Sequence, residues 1–138
     1  MLKKAYVEIT NCCNLACSFC PKTRRAPHTM SAQEFDLVLS RLEGYVQYVY
    51  LHLMGEPLLH PIARRIRLQR GRAIRIWPRA LNTRKVCITT NGTLLKENEQ
   101  ALLHAPLHKL SVSLHSFEVN GGDLQNYAHC RRHLSSRG

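Results

Sequence analysis

The sequence predicts an α/β fold in which parallel strands alternate with helices. Four runs rich in β-branched and aromatic residues, at 5–10, 45–57, 85–92 and 109–116, are interleaved with segments whose apolar residues recur at helical spacing. Such alternation is satisfied by a parallel sheet with helices packed on its faces. The residues best suited to chemistry gather just beyond the strand-like runs, at the edge where sheets of this class bind ligands.

The first strand is expected in Ala5–Thr10 ("AYVEIT"), where apolar and polar residues alternate straight into a cysteine-rich loop. "SAQE" at 31–34 has the Ser-x-x-Glu form of a capping box and precedes Phe35, Val38, Leu39 and Leu42, so a helix is predicted over about 31–43, ended near Gly44. "YVQYVYLHLMGEP" at 45–57 predicts the second strand, with Gly55 and Pro57 as its stop. "KVCITTNG" at 85–92 predicts the third strand, closed by an Asn-Gly turn, and "TLLKENEQALLHA" at 93–105 the next helix. "KLSVSLHS" at 109–116 supplies the fourth strand. The stretch 61–84 does not follow the pattern, because Gly71 and Pro78 interrupt it and its apolar residues form no stripe.

At 138 residues the chain has the length of one domain. No run approaches the ~18 apolar residues of a membrane span. The first twenty residues lack the order of a secretion signal, with Lys3 and Lys4 followed by Glu8, Asn11 and cysteines. A cytoplasmic setting is therefore expected, where thiols stay reduced and a tight cysteine cluster points to metal rather than to disulfides. The net charge of +11 is local: eight arginines lie within 61–84, and no acidic residue stands between Pro57 and Glu97. With only Trp77 interleaved, this run is not a stacking platform, and no nucleic-acid partner is expected.

"NCCNLACSFCP" at 11–21 holds four of the six cysteines. Cys13, Cys17 and Cys20 are spaced to wrap one compact metal centre from a single loop. Structural zinc takes four ligands, usually in two separated pairs, and no matching second pair follows. Three thiolates on four irons would leave one iron open to another ligand. Cys12 is the wrong distance from Cys17 for that spacing and is expected to be a bystander; Cys87 reads as a small core residue, and Cys130 has no visible partner.

"ITNCCNLACSFCP" resembles the cluster loop of the radical S-adenosylmethionine enzymes, Cys-x3-Cys-x2-Cys with an aromatic residue, here Phe19, before the last cysteine. "MGEPLLHP" at 54–61 is similar to that family's Gly-Gly-Glu motif with Met54 in the first glycine's place, and "ITTNGTLL" and "SVSLHSFE" resemble its third and fourth strand ends. The resemblance covers about 5–60 and 85–127. It implies that Cys13, Cys17 and Cys20 bind a [4Fe-4S] cluster whose fourth iron is chelated by S-adenosylmethionine. The cofactor would then be cleaved reductively to a 5′-deoxyadenosyl radical that abstracts hydrogen from a substrate. Cofactor contacts would come from Phe19, Gly55, Glu56, Asn91, Ser113 and His115, with Glu56 either accepting from the cofactor's ammonium or fixing the turn. A small electron donor protein of ferredoxin or flavodoxin type is the implied partner.

A complete barrel of eight units takes roughly 250 residues. The fold class expected is therefore a partial (βα) barrel of the TIM-like type, with about four parallel strands and a truncated appearance. Residues 1–130 would form the N-terminal half of the core domain and 131–138 a basic tail, with 61–84 and 131–138 read as products of a frameshift. The rival reading is an inactive remnant or a non-catalytic module binding zinc or a cluster in the same loop.

Overall fold

The computed structural model describes residues 2–61, 85–105 and 107–114. Within them, β1 (Leu2–Tyr6), β2 (Val46–Tyr50), β3 (Lys85–Thr90) and β4 (Leu107–Val112) form one sheet in the order β1-β2-β3-β4. Every neighbouring pair is parallel, with Tyr6 opposite Tyr50, Tyr50 opposite Cys87 and Cys87 opposite Lys109. Helix α1 (Ala32–Leu42) connects β1 to β2, and α2 (Leu95–His104) connects β3 to β4. The sheet is thus the α/β arrangement the alternation predicts. The crossover from β2 to β3 runs through 62–84, which lies outside the described residues, as do His115, Cys130 and the 131–138 tail.

Helix α1 forms where the capping box places it. The Ser31 hydroxyl accepts from the Glu34 N–H at 3.2 Å, and the Glu34 carboxylate accepts from the Ser31 N–H at 2.7 Å. The helix stops at Glu43, whose ψ of 130° is extended, and Gly44 then takes a φ of +76°. Its buried face, Phe35 and Leu39, packs on Val7, Ile9, Val46, Val49, Leu51, Val86 and Ile88. Burying such side chains contributes about 1.5–3 kcal/mol each. Helix α2 sets Leu95 and Leu102 against Leu58 and the partly buried Leu107, Leu110 and Val112.

Both helices therefore cover the sheet face that carries Val49, Val86 and Ile88. Alternation turns Tyr6, Tyr48, Tyr50 and His52 to the other face. There Tyr6 and Tyr50 stack at 4.8 Å, His52 meets both rings edge-on, and the Lys4 and Lys85 ammoniums lie over the Tyr50 and Tyr48 rings.

The strand bounds differ from expectation where the chain changes partner. β1 lies at 2–6 rather than 5–10: the Val7 N–H still reaches the Tyr50 carbonyl, but Ile9 and Thr10 pair with Met30 and Thr29 on the returning limb of the cysteine loop. β2 ends at Tyr50 rather than running to 57, although Leu51 still donates to the Cys87 carbonyl. Beyond it the His52 ring takes over, with Nδ1 accepting the Thr89 N–H at 3.1 Å, so a side chain occupies the donor that a longer strand would use. Among the described residues no helix is long and apolar enough to cross a membrane.

Two histidines lock this frame in their neutral form. Nδ1 of His52 accepts, so its Nε2 carries the hydrogen that faces the Thr89 hydroxyl at 3.2 Å. His60, almost fully buried, donates from Nε2 to the Met30 carbonyl at 2.8 Å. Burial depresses the pKa of both, the Met30 bond partly offsetting this at His60. The unfolded chain then takes up protons near the ordinary histidine value of about 6.5, before the folded chain does, so stability is full above that value and falls as the pH drops below it. The urea midpoint is expected to be lower at pH 5.5 than at 7.5, and a double variant His52→Gln/His60→Gln should show a smaller drop; an equal drop in both would remove the histidines from the explanation.

Candidate functional site

The cysteine loop leaves the sheet after β1 and comes back at 28–30, and its neck is closed by hydrogen bonds. Asn11 donates its N–H to the His28 carbonyl at 3.1 Å, accepts the His28 N–H on Oδ1 at 2.7 Å, and donates from Nδ2 to the Ala26 carbonyl at 2.9 Å. The Thr10 hydroxyl donates to the His28 carbonyl at 3.1 Å, and Met30 donates its N–H to the Ile9 carbonyl at 2.8 Å. Glu8 braces the outer limb. Its carboxylate binds the Arg25 guanidinium at 2.7 Å and the Met54 N–H at 3.0 Å. Partial burial pushes the Glu8 carboxyl up, but Arg25 and Met54 together bring it below the usual range.

The floor of the loop is Gly55-Glu56. Gly55 has a φ of +78°, and a Cβ there would sit 2.6 Å from the carbonyl oxygens of both Thr10 and Cys12. The glycine is required because the backbone of one strand end lies directly on the backbone of another. Glu56 then donates its N–H to the Cys12 carbonyl at 2.8 Å. Its carboxylate, in a residue 1% exposed, accepts from the Leu58 N–H at 2.9 Å, the Thr90 hydroxyl at 2.7 Å and the Asn91 N–H at 2.7 Å. Burial pushes this carboxyl up, against the pull of three donors. Of the two roles expected for Glu56, the geometry displays the fixing of the turn: one buried side chain joins the end of β2, the 3-10 turn Pro57–Leu59 and the end of β3.

The three expected metal ligands sit on one loop in graded exposure, Cys13 exposed, Cys20 half-buried and Cys17 buried. Cys20 donates its N–H to the Cys17 carbonyl at 3.2 Å, and the Leu15 N–H points at the Cys13 sulfur at 3.4 Å. Cys12, the expected bystander, has its sulfur within 4.0 Å of the Thr29 hydroxyl at the neck, and Cys87 is buried in β3. Asn91 reaches the same loop, its amide 3.8 Å from the Cys13 sulfur. Ser113 is placed at the neighbouring strand end, its N–H on the Thr90 carbonyl at 2.8 Å, and Phe19 is exposed beside Cys20. Among the described residues no three His, Cys, Asp or Glu side chains are gathered tightly enough for a single metal ion. Three thiols in one closed-neck loop, one already facing an N–H, are a soft donor set suited to an iron–sulfur cluster.

Sequence reasoning missed Glu8, Asn11, Asn14 and Thr93. Glu8 occupies an ordinary polar position of a strand pattern, and the others are common loop residues whose partners lie more than ten positions away or depend on side-chain geometry.

Comparison with known proteins bears on what this loop holds. The family model of the Radical SAM superfamily matches residues 7–136. A GTP 3′,8-cyclase of Chlorobaculum tepidum is 31% identical over 114 residues, covering 81% of this chain and 32% of its own length. A second GTP 3′,8-cyclase, from Aquifex aeolicus, is 30% identical over 123 residues, covering 83% of this chain and 36% of its own. The chain thus spans about a third of the length of these curated relatives. The crystal structure of BtrN in complex with AdoMet and 2-DOIA superposes with a TM-score of 0.66 at 21% identity, over 81% of this chain and 45% of that one, which establishes a shared fold.

Replacing Gly55 by Ala forces a Cβ against two carbonyl oxygens, and the left-handed backbone alone costs on the order of 1–3 kcal/mol. Gly55→Ala is expected to lower the denaturation midpoint and to speed hydrogen exchange at Glu56 and Asn91, whose N–H groups bond across this joint; unchanged exchange there would show that the close approach does not hold the loop.

Proposed function

The chain belongs to the Radical SAM superfamily, and from that membership we propose that Cys13, Cys17 and Cys20 hold a [4Fe-4S] cluster that binds and reductively cleaves S-adenosylmethionine. The single observation that carries the proposal is the joint between the cysteine loop and the Gly55-Glu56 turn, which sets the loop bearing the three cysteines against the ends of β2 and β3. A cluster held by Cys13, Cys17 and Cys20 would supply the one-electron chemistry that cleaves S-adenosylmethionine to methionine and a 5′-deoxyadenosyl radical.

The residues of the chain do the holding. Three anionic thiolates from one loop leave the fourth corner of the cube to a ligand that is not protein. The main chain at Gly55-Glu56 is proposed as the edge that meets the amino and carboxylate groups of a methionyl moiety. Ser113, at the end of β4, is proposed to reach the ribose or carboxylate, Asn91 to stand at the same cofactor edge, and Phe19 to offer a ring to the adenine. His115 is proposed for the same edge on the resemblance alone. A ferredoxin or flavodoxin type protein is proposed as the electron source. The substrate is open to direct trial, and GTP is the first to use because two relatives carry the name GTP 3′,8-cyclase.

Reconstituted without oxygen, the protein is expected to carry about four irons with matching sulfide, and Cys13→Ala, Cys17→Ala and Cys20→Ala should each lose most of that iron while Cys12→Ala keeps it. Adding S-adenosylmethionine should alter the electron paramagnetic resonance signal of the reduced cluster and, under a strong reductant, yield 5′-deoxyadenosine. One zinc without sulfide would install the rival metal-binding module in its place.

A further inference from the structure

Asn14 and Thr93, which no functional reading has used, close a ring with Asn91 at the rim of the cysteine loop. Asn14 donates from Nδ2 to the Thr93 hydroxyl at 2.8 Å. The Thr93 hydroxyl donates to Oδ1 of Asn91 at 2.7 Å. Asn91 returns the chain by donating from Nδ2 to Oδ1 of Asn14 at 3.0 Å. Each member donates once and accepts once within the ring. Oδ1 of Asn91 also accepts the Thr93 N–H at 3.0 Å, which excludes the flipped amide. The second hydrogen of Asn91 Nδ2 is left pointing at the sulfur of Cys13, 3.8 Å away. The Leu15 N–H meets the same sulfur at 3.4 Å.

We infer that the Asn14–Asn91–Thr93 ring is a positioning device that aims the Asn91 amide at the Cys13 thiolate and thereby sets the reduction potential of the cluster proposed above. The physical basis is charge. A reduced cluster carries one more negative charge than an oxidised one, and that charge is spread onto its thiolate sulfurs. N–H donors to those sulfurs stabilise the reduced form more than the oxidised form and raise the potential. An amide free to rotate would spend part of its time elsewhere. Here its other hydrogen and its oxygen are committed to Asn14 and Thr93, so the orientation survives at a rim where Asn14 is exposed to water. The ring also connects positions 14 and 93, on the two sides of the site, so the cysteine loop cannot tilt away from the end of β3 without breaking it.

The inference rests on cluster binding by Cys13, and the test separates the two. Asn91→Ala and Asn91→Asp are reconstituted beside the unaltered protein, and their cluster potentials are measured by redox titration followed by electron paramagnetic resonance, without S-adenosylmethionine. Both variants are expected to load iron as the unaltered protein does and to titrate at a more negative potential. Asn91→Asp should lie lowest, because it keeps the acceptor for Thr93 but puts a carboxylate in place of the donor. Equal potentials in all three would overturn the inference while leaving the ligand assignment intact; failure of the unaltered protein to take up iron would remove the ligand assignment and the inference with it. Should the Asn91 variants retain no iron, Asn14→Ala decides, since it opens the ring and leaves Asn91 in place: a lowered potential supports the aiming role, and an unchanged one refutes it.

Discussion

The Glu56 carboxylate is the constraint on which the rest of the site depends. A buried carboxylate is costly unless donors surround it, and here three do: the Leu58 and Asn91 N–H groups and the Thr90 hydroxyl. Those donors belong to the turn after β2 and to the end of β3, so one side chain fixes two strand ends relative to each other. The backbone of the same residue donates to Cys12. Position 56 therefore reads the placement of β2, β3 and the loop after β1 at once, and a shift in any of them leaves a donor or an acceptor in the interior unmatched.

Around that joint the fold divides its labour between two sides. Helices α1 and α2 cover one sheet face with aliphatic side chains, and the other face carries stacked tyrosines, His52 and two lysines. The site grows at the edge between them, where strands hand over to loops and backbone donors are freed from the ladder. His52 and Glu56 use this in the same way, each taking on its side chain an N–H that sheet pairing no longer satisfies.

The sequence made the alternation of strands and helices legible, down to the capping box of α1, because periodicity and caps are local properties. It also exposed the three cysteines and the Gly-Glu turn, since their spacing is unusual enough to carry a resemblance. What it hid were the partners across the chain. Nothing in "AYVEIT" reports that Ile9 and Thr10 leave the sheet to pair with Met30 and Thr29, so the pattern points to a strand that ends later than β1 does. Glycine at 55 reads as room for a ligand, while the structure spends that room on the carbonyls of Thr10 and Cys12. Asn14 and Thr93 carry no pattern at all, and their pairing exists only once positions 79 residues apart are brought together.

The closed neck of the cysteine loop bears on how such a protein matures. In small zinc modules the metal assembles the fold, and the apo chain is disordered. Here main-chain and asparagine bonds between residues 9–11 and 26–30 gather the loop, and the helix that follows is anchored by Phe35 and Leu39. The frame that carries the three cysteines is thereby fixed chiefly by residues other than those cysteines.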